Sequence, residues 1–193
     1  VSFVGSTPVA KYIYQESSKY LKRVQSLGGA KNHLVVMPDA NLDQAVDGII
    51  GAAFGSAGER CMAVSVAVAV GDIADELVNK IHSKSQTLKV APWTDDTSEM
   101  GPVISKEHKE KILNYIDIGQ KEGAKLILDG REIKIQGYEN GYFVGPTIFD
   151  HVSNDMKIYK EEIFGPVLSV VRAKTYSEAI KLINDHQFGN GTS

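Results

Sequence analysis

The stretch Val64-Ser65-Val66-Ala67-Val68-Ala69-Val70 decides the fold class of this 193-residue chain. Valine and alanine fill nearly every position, whereas a strand with one face in water would alternate apolar and polar residues. The pattern therefore predicts a β-strand that is covered on both faces. Such strands belong to parallel sheets, in which helices connect one strand to the next.

Strands and helices alternate on both sides of this stretch. A helix is predicted to begin at a cap among Asp39, Asn41 and Asp43 and to end at Phe54. We assign these three polar residues to helix capping rather than to metal binding. The other predicted helices are 8–20, 74–88, 106–122 and 177–184, the strands are 1–4, 34–37, 125–128, 133–135, 143–148 and 167–171, and the loops are 27–33 and 92–101. The expected fold is α/β with three layers, a mostly parallel twisted sheet and helices on both of its faces.

The composition is that of a globular protein and excludes several classes of function. Hydrophobic residues make up 42% and charged residues 23% of the chain, and the formal net charge is -3. No basic block is suited to nucleic acid or anionic lipid, and the longest apolar run has about half the length that a membrane span requires. The single cysteine excludes an internal disulfide and fits a reducing compartment. The histidines are scattered, so we expect no metal site.

Both ends of the sequence fall inside structural patterns. The chain opens in an apolar run at Val1 without a signal peptide, and it stops in the turn-like sequence 189–193. We therefore expect an excised piece of a longer protein. Because any targeting segment would precede Val1, the cytoplasm is the default compartment and the mitochondrial matrix is the alternative.

Cys61 is the first candidate for chemistry. A lone cysteine in an apolar stretch is commonly a buried structural thiol. Cys61, however, follows a glycine-containing break at a helix end, and the adjacent Arg60 favours the thiolate, which is the reactive form of cysteine. Both interpretations stay open on these residues alone.

Four segments together resemble the aldehyde dehydrogenases. Residues 54–61 are similar to the active-site segment of that family, 3–7 to its cofactor loop, 161–167 to its second signature and 141–147 to the segment between. The four lie in the family's order and spacing along the whole chain. Within the family, the similarity is greatest to the methylmalonate-semialdehyde dehydrogenases, and it is carried by residues 29–33, 36–41, 60–63 and 137–141.

The resemblance implies a role for each residue of a shared site. Cys61 would be the covalent nucleophile, and Arg60 would hold a substrate carboxylate through two hydrogen bonds. The cofactor would be NAD, with Gly5 and Ser6 at the dinucleotide, Glu162 at the nicotinamide-ribose hydroxyls and Phe164 beside the nicotinamide. Residues 1–26 would be the last strand and helix of a cofactor-binding domain, and 27–193 the catalytic domain. His33 is interpreted as structural.

One departure from the family determines the expected reaction. Hydrolytic members place a glutamate general base four residues before the lysine that corresponds to Lys31, and here that position is Leu27. Leucine cannot accept a proton, and the thiolate of coenzyme A is a far better nucleophile than water. The resemblance therefore implies NAD-dependent oxidative decarboxylation of methylmalonate or malonate semialdehyde to propionyl-CoA or acetyl-CoA, with coenzyme A as co-substrate. Another base, with Glu59 the nearest carboxylate in sequence, would make the enzyme hydrolytic.

Two further alternatives stay open. A thiol hydrolase without nicotinamide would need a histidine and a carboxylate near Cys61, and the sequence places no histidine there. An interaction domain without catalysis would not react with aldehyde analogues. We expect no nucleic-acid or membrane partner, and a full-length protein that is a homo-oligomer, either a dimer or a tetramer. The 193-residue chain alone is expected to fold but to be inactive.

Overall fold

The computed structural model describes all 193 residues and divides them into two compact units. The first unit, Val1–Ala30, consists of β1 (Ser2–Val4), α1 (Thr7–Lys19) and β2 (Gln25–Leu27). Strands β1 and β2 pair in parallel, with Val4 opposite Leu27. Leu27, which was predicted to begin a loop, is therefore the last residue of a strand. A three-residue strand has too few residues to show an alternating pattern, so its sequence alone does not indicate it.

The second unit, Lys31–Ser193, is built on one five-stranded sheet. The strand order is β3-β4-β7-β6-β5, and every neighbouring pair is parallel except β5 and β6. The strands are β3 (Asn32–Val36), β4 (Val64–Val70), β5 (Lys125–Leu128), β6 (Thr147–Asp150) and β7 (Val167–Ala173). The predicted α/β class with a mostly parallel sheet is confirmed.

Five helices connect and cover these strands. They are α2 (Leu42–Phe54), α3 (Ala74–Gln86), α4 (Lys106–Lys121), α5 (Lys157–Lys160) and α6 (Tyr176–Asn184). The predicted cap of α2 is confirmed at Asn41, whose Oδ1 accepts a hydrogen bond from the backbone N–H of Gln44 at 3.1 Å. None of the helices is long and apolar enough to cross a bilayer.

The centre of the core is the stretch that decided the fold class. Val66, Ala67, Val68 and Ala69 in β4 have no solvent-exposed surface, and the neighbouring strand β7 is buried over six of its seven residues. A strand whose successive residues are all buried must be covered on both faces, because its side chains point alternately to opposite sides. The prediction made from this stretch is confirmed.

The strand predicted at 133–135 was wrong. These residues follow a turn, and β5 pairs instead with β6, in the antiparallel sense. A backbone contact explains the difference: Gly145 N–H donates to the Gly130 carbonyl at 2.8 Å, and Gly130 N–H donates to Thr147 Oγ1 at 3.1 Å. The same contact holds residues 143–146 outside the ladder, so that β6 begins only at Thr147.

Candidate active site

In the first unit, Gly5 and Ser6 lie at the junction where β1 ends and α1 begins. A Cβ on Gly5 would stand 2.7 Å from the ring of Phe3, so a larger residue fits this turn only if that ring moves. Ser6 is the N-cap residue of α1, yet its side chain makes no capping hydrogen bond, and the first turn of the helix carries no acidic residue. A bare helix N-terminus that follows a glycine turn is the kind of backbone that accepts a phosphate group.

In the second unit, Cys61 lies in an exposed loop directly after the end of α2. The chain passes there through a distorted 3-10 turn, in which Ser56, Ala57 and Gly58 all have positive φ angles, of 52°, 51° and 70°. Such angles are strained for residues other than glycine and concentrate at functional sites. The thiol is therefore held at the surface by an irregular backbone, and the interpretation of Cys61 as a buried structural thiol is excluded.

Arg60 turns back toward the helix that precedes it. Its Nη2 donates hydrogen bonds to the carbonyls of Gly51 at 2.6 Å and Ala52 at 3.0 Å, which belong to the last turn of α2. A cation at a helix C-terminus meets the negative end of the helix dipole. The adjacent carboxylate of Glu59 contacts His108 instead of this guanidinium. Arg60 itself is exposed to solvent.

The loop that carries Cys61 touches the loop that carries Glu162 and Phe164. We name Gly55–Met62 the nucleophile loop and Glu161–Pro166 the Glu162 loop. A Cβ on Gly58 would lie 2.3 Å from the carbonyl oxygen of Gly165, so the two backbones pack directly against each other. The structure thus brings together two of the predicted site segments, which lie about a hundred residues apart in sequence.

His108, on α4, links the same two loops. Its Nε2 lies 2.6 Å from the carbonyl oxygen of Phe164 and 3.3 Å from Oε1 of Glu59. Because a carbonyl only accepts hydrogen bonds, Nε2 must carry the proton and donate it. The link holds Phe164 in a backbone conformation with φ of 59°, which is strained for a side chain of this size.

This arrangement corrects one expectation and weakens two alternatives. The sequence placed no histidine near Cys61, whereas His108 contacts Glu59, two residues away in the chain. A nitrogen that donates to Phe164 cannot at the same time accept a thiol proton, which disfavours a cysteine hydrolase. The Glu59 carboxylate is engaged by His108 and by the backbone N–H of Ile104 at 3.2 Å, which disfavours it as the general base.

Lys31, which directly precedes β3 of the five-stranded sheet, holds the Glu162 loop. Its side chain is buried, and Nζ donates to the carbonyls of Ile158 at 2.7 Å and Glu161 at 2.8 Å. Burial lowers the pKa of Lys31 to about 7, and the nearby carboxylates of Glu162 and Glu161 oppose that shift. The next residue, Asn32, donates to the carbonyl of Cys61 at 2.8 Å. Lys31, just before β3, and Asn32, its first residue, therefore hold one loop each.

His33 completes this buried row and is structural, as interpreted from the sequence. It is 1% exposed, with Nδ1 2.9 Å from the Lys31 carbonyl and Nε2 3.0 Å from the hydroxyl of Tyr159. Burial, and to a lesser extent the neighbouring His186, lower the pKa of His33 to about 4. The imidazole is therefore neutral at physiological pH, and both of its nitrogens have partners.

The residues that tie the two loops together were not predicted as site residues. Lys31 and Asn32 belong to the segment 29–33 that carries the resemblance, but neither was assigned a role in the site, and His108 lies in no motif. The signal that was available for Asn32 is a polar residue beside an apolar strand. Asn32 and His33 have polar side chains at the head of the buried run of β3, where an unpaired polar group would be costly. No group of three histidine, cysteine, aspartate or glutamate side chains is placed to hold a metal ion.

The fold and the site define the class of protein. The sequence pattern of the aldehyde dehydrogenase family matches residues 1–193, and the chain belongs to that family. The resemblance drawn from the four segments is confirmed. A betaine aldehyde dehydrogenase of Staphylococcus aureus, solved in complex with NAD+, superimposes with a TM-score of 0.96 at 32% identity, over 100% of this chain and 38% of that one.

More similar relatives act on semialdehydes by name. The malonate-semialdehyde dehydrogenase of Pseudomonas aeruginosa is 55% identical over 193 residues, which are 100% of this chain and 39% of the relative. The structure of methylmalonate-semialdehyde dehydrogenase from Oceanimonas doudoroffii has a TM-score of 0.97 at 56% identity and is matched over 100% of this chain and 40% of its own. The chain thus spans about two fifths of the length of the relatives it matches.

Proposed function

We propose that this chain is the thiol-bearing part of an NAD-dependent dehydrogenase of methylmalonate or malonate semialdehyde. The observation that carries the proposal is the exposed Cys61 thiol, whose loop packs against the loop of Glu162 and Phe164 through the Gly58–Gly165 contact. The relatives' names supply the substrate class. Because the chain spans 39% of the Pseudomonas aeruginosa relative, the activity belongs to a protein of the relatives' length, which we call the full-length enzyme.

Cys61 begins the proposed reaction. Its thiolate adds to the aldehyde carbon, which forms a carbon–sulfur bond and leaves the aldehyde oxygen as an oxyanion. The backbone N–H of Cys61 would donate to that oxygen. When the oxyanion collapses and a hydride departs, the product is a thioester on Cys61, and the 3-carboxylate of the acyl group is then lost as carbon dioxide with uptake of one proton.

The residues present fit a dinucleotide acceptor for the hydride. Gly5 has no side chain to shield the backbone, and Ser6 is the N-cap residue of a helix whose first turn offers backbone N–H groups and no negative charge, which suits a pyrophosphate. Glu162 would accept hydrogen bonds from ribose hydroxyls, and Phe164, with its strained backbone, would pack near the nicotinamide. NAD, when bound, supplies the oxidising equivalent; the chain's own residues bind and orient it.

Arg60 is proposed to select the carboxylate of the substrate. Its contacts with Gly51 and Ala52 fix the guanidinium beside the nucleophile loop. A guanidinium has five N–H donors, more than two carbonyls use, and it can offer a flat pair of them to a carboxylate. An aldehyde without a carboxylate would lack this interaction. Replacing Arg60 should therefore remove the preference for the semialdehyde over such an aldehyde.

Coenzyme A is proposed to release the acyl group. Leu27, at the position of the hydrolytic base, cannot accept a proton, and its side chain is 50% exposed rather than part of the core. The engaged carboxylate of Glu59 offers no replacement. The coenzyme A thiol would therefore displace the Cys61 thiol, giving propionyl-CoA or acetyl-CoA and returning the free enzyme.

Two measurements on the full-length enzyme test the proposal. The variant Cys61→Ala should form NADH at less than about a thousandth of the parent rate, since the covalent route is lost. The parent enzyme should turn over steadily only with coenzyme A present, and mass spectrometry should identify the acyl-CoA product. NADH formation that survives in Cys61→Ala would refute the covalent route, whereas equal steady-state rates without coenzyme A would make the enzyme hydrolytic.

A further inference from the structure

The carbonyl oxygen of Cys61 accepts hydrogen bonds from two asparagine side chains. Nδ2 of Asn32 donates to it at 2.8 Å, and Nδ2 of Asn190 donates to it at 2.7 Å. Asn32 precedes Cys61 by 29 residues, and Asn190 follows it by 129. Two distant segments of the second unit therefore converge on one peptide group, and that group belongs to the proposed nucleophile.

The orientation of both amides is fixed by their partners. Oδ1 of Asn32 accepts from the backbone N–H of Gly191 at 2.9 Å, so its nitrogen must face the carbonyls of Cys61 and Ala63. Carbonyl oxygens cannot donate, and the nitrogen of Asn190 must likewise face Cys61. Asn32 is 4% exposed, so its hydrogen bonds are shielded from competition by water.

These contacts set the direction of the Cys61 side chain. The peptide that precedes Cys61 is held by its own carbonyl, on Arg60, which accepts from the Ala63 N–H at 3.0 Å. The peptide that follows is held by the two asparagines. Because each peptide is planar, fixing the planes on both sides of a residue fixes its φ and ψ angles, and hence the direction of its Cα–Cβ bond.

The backbone of Asn190 is strained at the position that makes this contact. Its φ is 119°, a conformation that side chains rarely adopt, although asparagine tolerates positive φ better than most residues. Strain of this kind persists only where surrounding interactions impose it, and it gathers at functional sites. A glycine would occupy the position without strain, whereas the asparagine adds amide contacts with Cys61, Asn32 and Met62.

We propose that Asn190, together with Asn32, is a positioning residue that clamps the peptide carbonyl of Cys61 and thereby aims the thiol at the aldehyde carbon. The inference rests on the proposed function, since it assigns a consequence for thiol chemistry to a backbone contact. Misplacing a reacting atom by about 1 Å can slow a reaction by about a hundredfold. Loss of the clamp therefore acts on the acylation step.

Two variants of the full-length enzyme test the clamp. Asn190→Gly removes the amide and relieves the strained φ, and Asn190→Asp keeps the size but cannot donate to a carbonyl. In both, the single-turnover rate of NADH formation should fall at least about tenfold, while the dissociation constant for NAD stays within about twofold. Asn140→Gly, in an exposed turn, is the matched control and should leave both quantities unchanged.

A stability measurement separates positioning from a structural role. Asn190→Gly should unfold at the same or a higher urea concentration than the parent, whereas a structural residue would lose stability and rate together. Exchange of the Ala63 amide should be faster in this variant, which reports on the clamp without turnover. A rate loss below about threefold in both variants would overturn the inference. A parent without any Cys61-dependent NADH formation would overturn the proposed function instead.

Discussion

Replacing Gly58 with alanine tests the contact that joins the nucleophile loop to the Glu162 loop. Gly58 has a φ of 70°, and a Cβ there would lie 2.3 Å from the Gly165 carbonyl oxygen and 3.0 Å from that of Ala53. Neither obstacle is a flexible side chain. The methyl group can enter only if the two loops move apart.

The size of the effect follows from two separate terms. A left-handed backbone costs a residue with a Cβ about 1–2 kcal/mol, and forcing extra volume into packed atoms costs about 1–3 kcal/mol more. We expect Gly58→Ala to lower the free energy of unfolding by about 2–5 kcal/mol, the sum of these terms. Displacement of the loop should also slow NADH formation in the full-length enzyme by about a hundredfold, because Cys61 moves relative to Glu162.

Two other glycines separate the cost of backbone strain from the cost of the added volume. Gly123 has a φ of 94° and no neighbour within 4 Å of a built Cβ, so Gly123→Ala carries the strain alone. Gly48, inside α2, has neither strain nor an obstacle, and Gly48→Ala should stabilise the chain by about 0.5–1 kcal/mol. Urea unfolding of the three variants would give the comparison. Equal losses in Gly58→Ala and Gly123→Ala would refute the Gly58–Gly165 contact and with it the pairing of the loops.

Two further predictions concern proton and cofactor binding by the 193-residue chain. Burial lowers the pKa of His33 to about 4 from an ordinary value of 6.5, so the unfolded chain binds a proton between those values that the folded chain does not. Stability should be complete above pH 6.5 and fall by about 3 kcal/mol as the pH drops to 4, which urea unfolding can measure, and a slope unchanged in His33→Gln would contradict this origin. The isolated chain should show no NAD binding by calorimetry, and a dissociation constant below about 1 mM would contradict the view that the site needs the rest of the full-length enzyme.

The fold was predictable from the sequence where burial imposes a regular pattern. The continuous apolar run of β4 indicated a strand covered on both faces, and the three-and-four spacing of α2 after a cap among Asp39, Asn41 and Asp43 indicated a helix. The partner of β5 was not predictable in the same way. A turn signal at Gly130 suggested a local hairpin, whereas the backbone contact between Gly130 and Gly145 selects a strand further along the chain.

The site was predictable in part. Cys61 follows a visible glycine break, and its exposure agrees with a chemical role. The domain boundary drawn at 26/27 stays a prediction, although the compact units divide after Ala30. The residues that hold the loops could not be found, because a hydrogen bond between a side chain and a distant carbonyl leaves no trace in the spacing of either residue.

The ties between the two loops share one chemical feature, which explains why the sequence conceals them. Lys31, Asn32 and His108 all donate to backbone carbonyls, and the Gly58–Gly165 contact is backbone on both sides. A carbonyl is present at every position whatever the side chain. Such contacts therefore restrict the residue type only at the donor and, for the backbone contact, at Gly58. Burial lowers the pKa of Lys31, and the hydrogen bonds from its amine to two carbonyls offset part of the cost of burying it. Cys61 and Arg60, the side chains proposed to reach the substrate, can then lie in exposed positions, because the backbone beneath them is held by these buried donors.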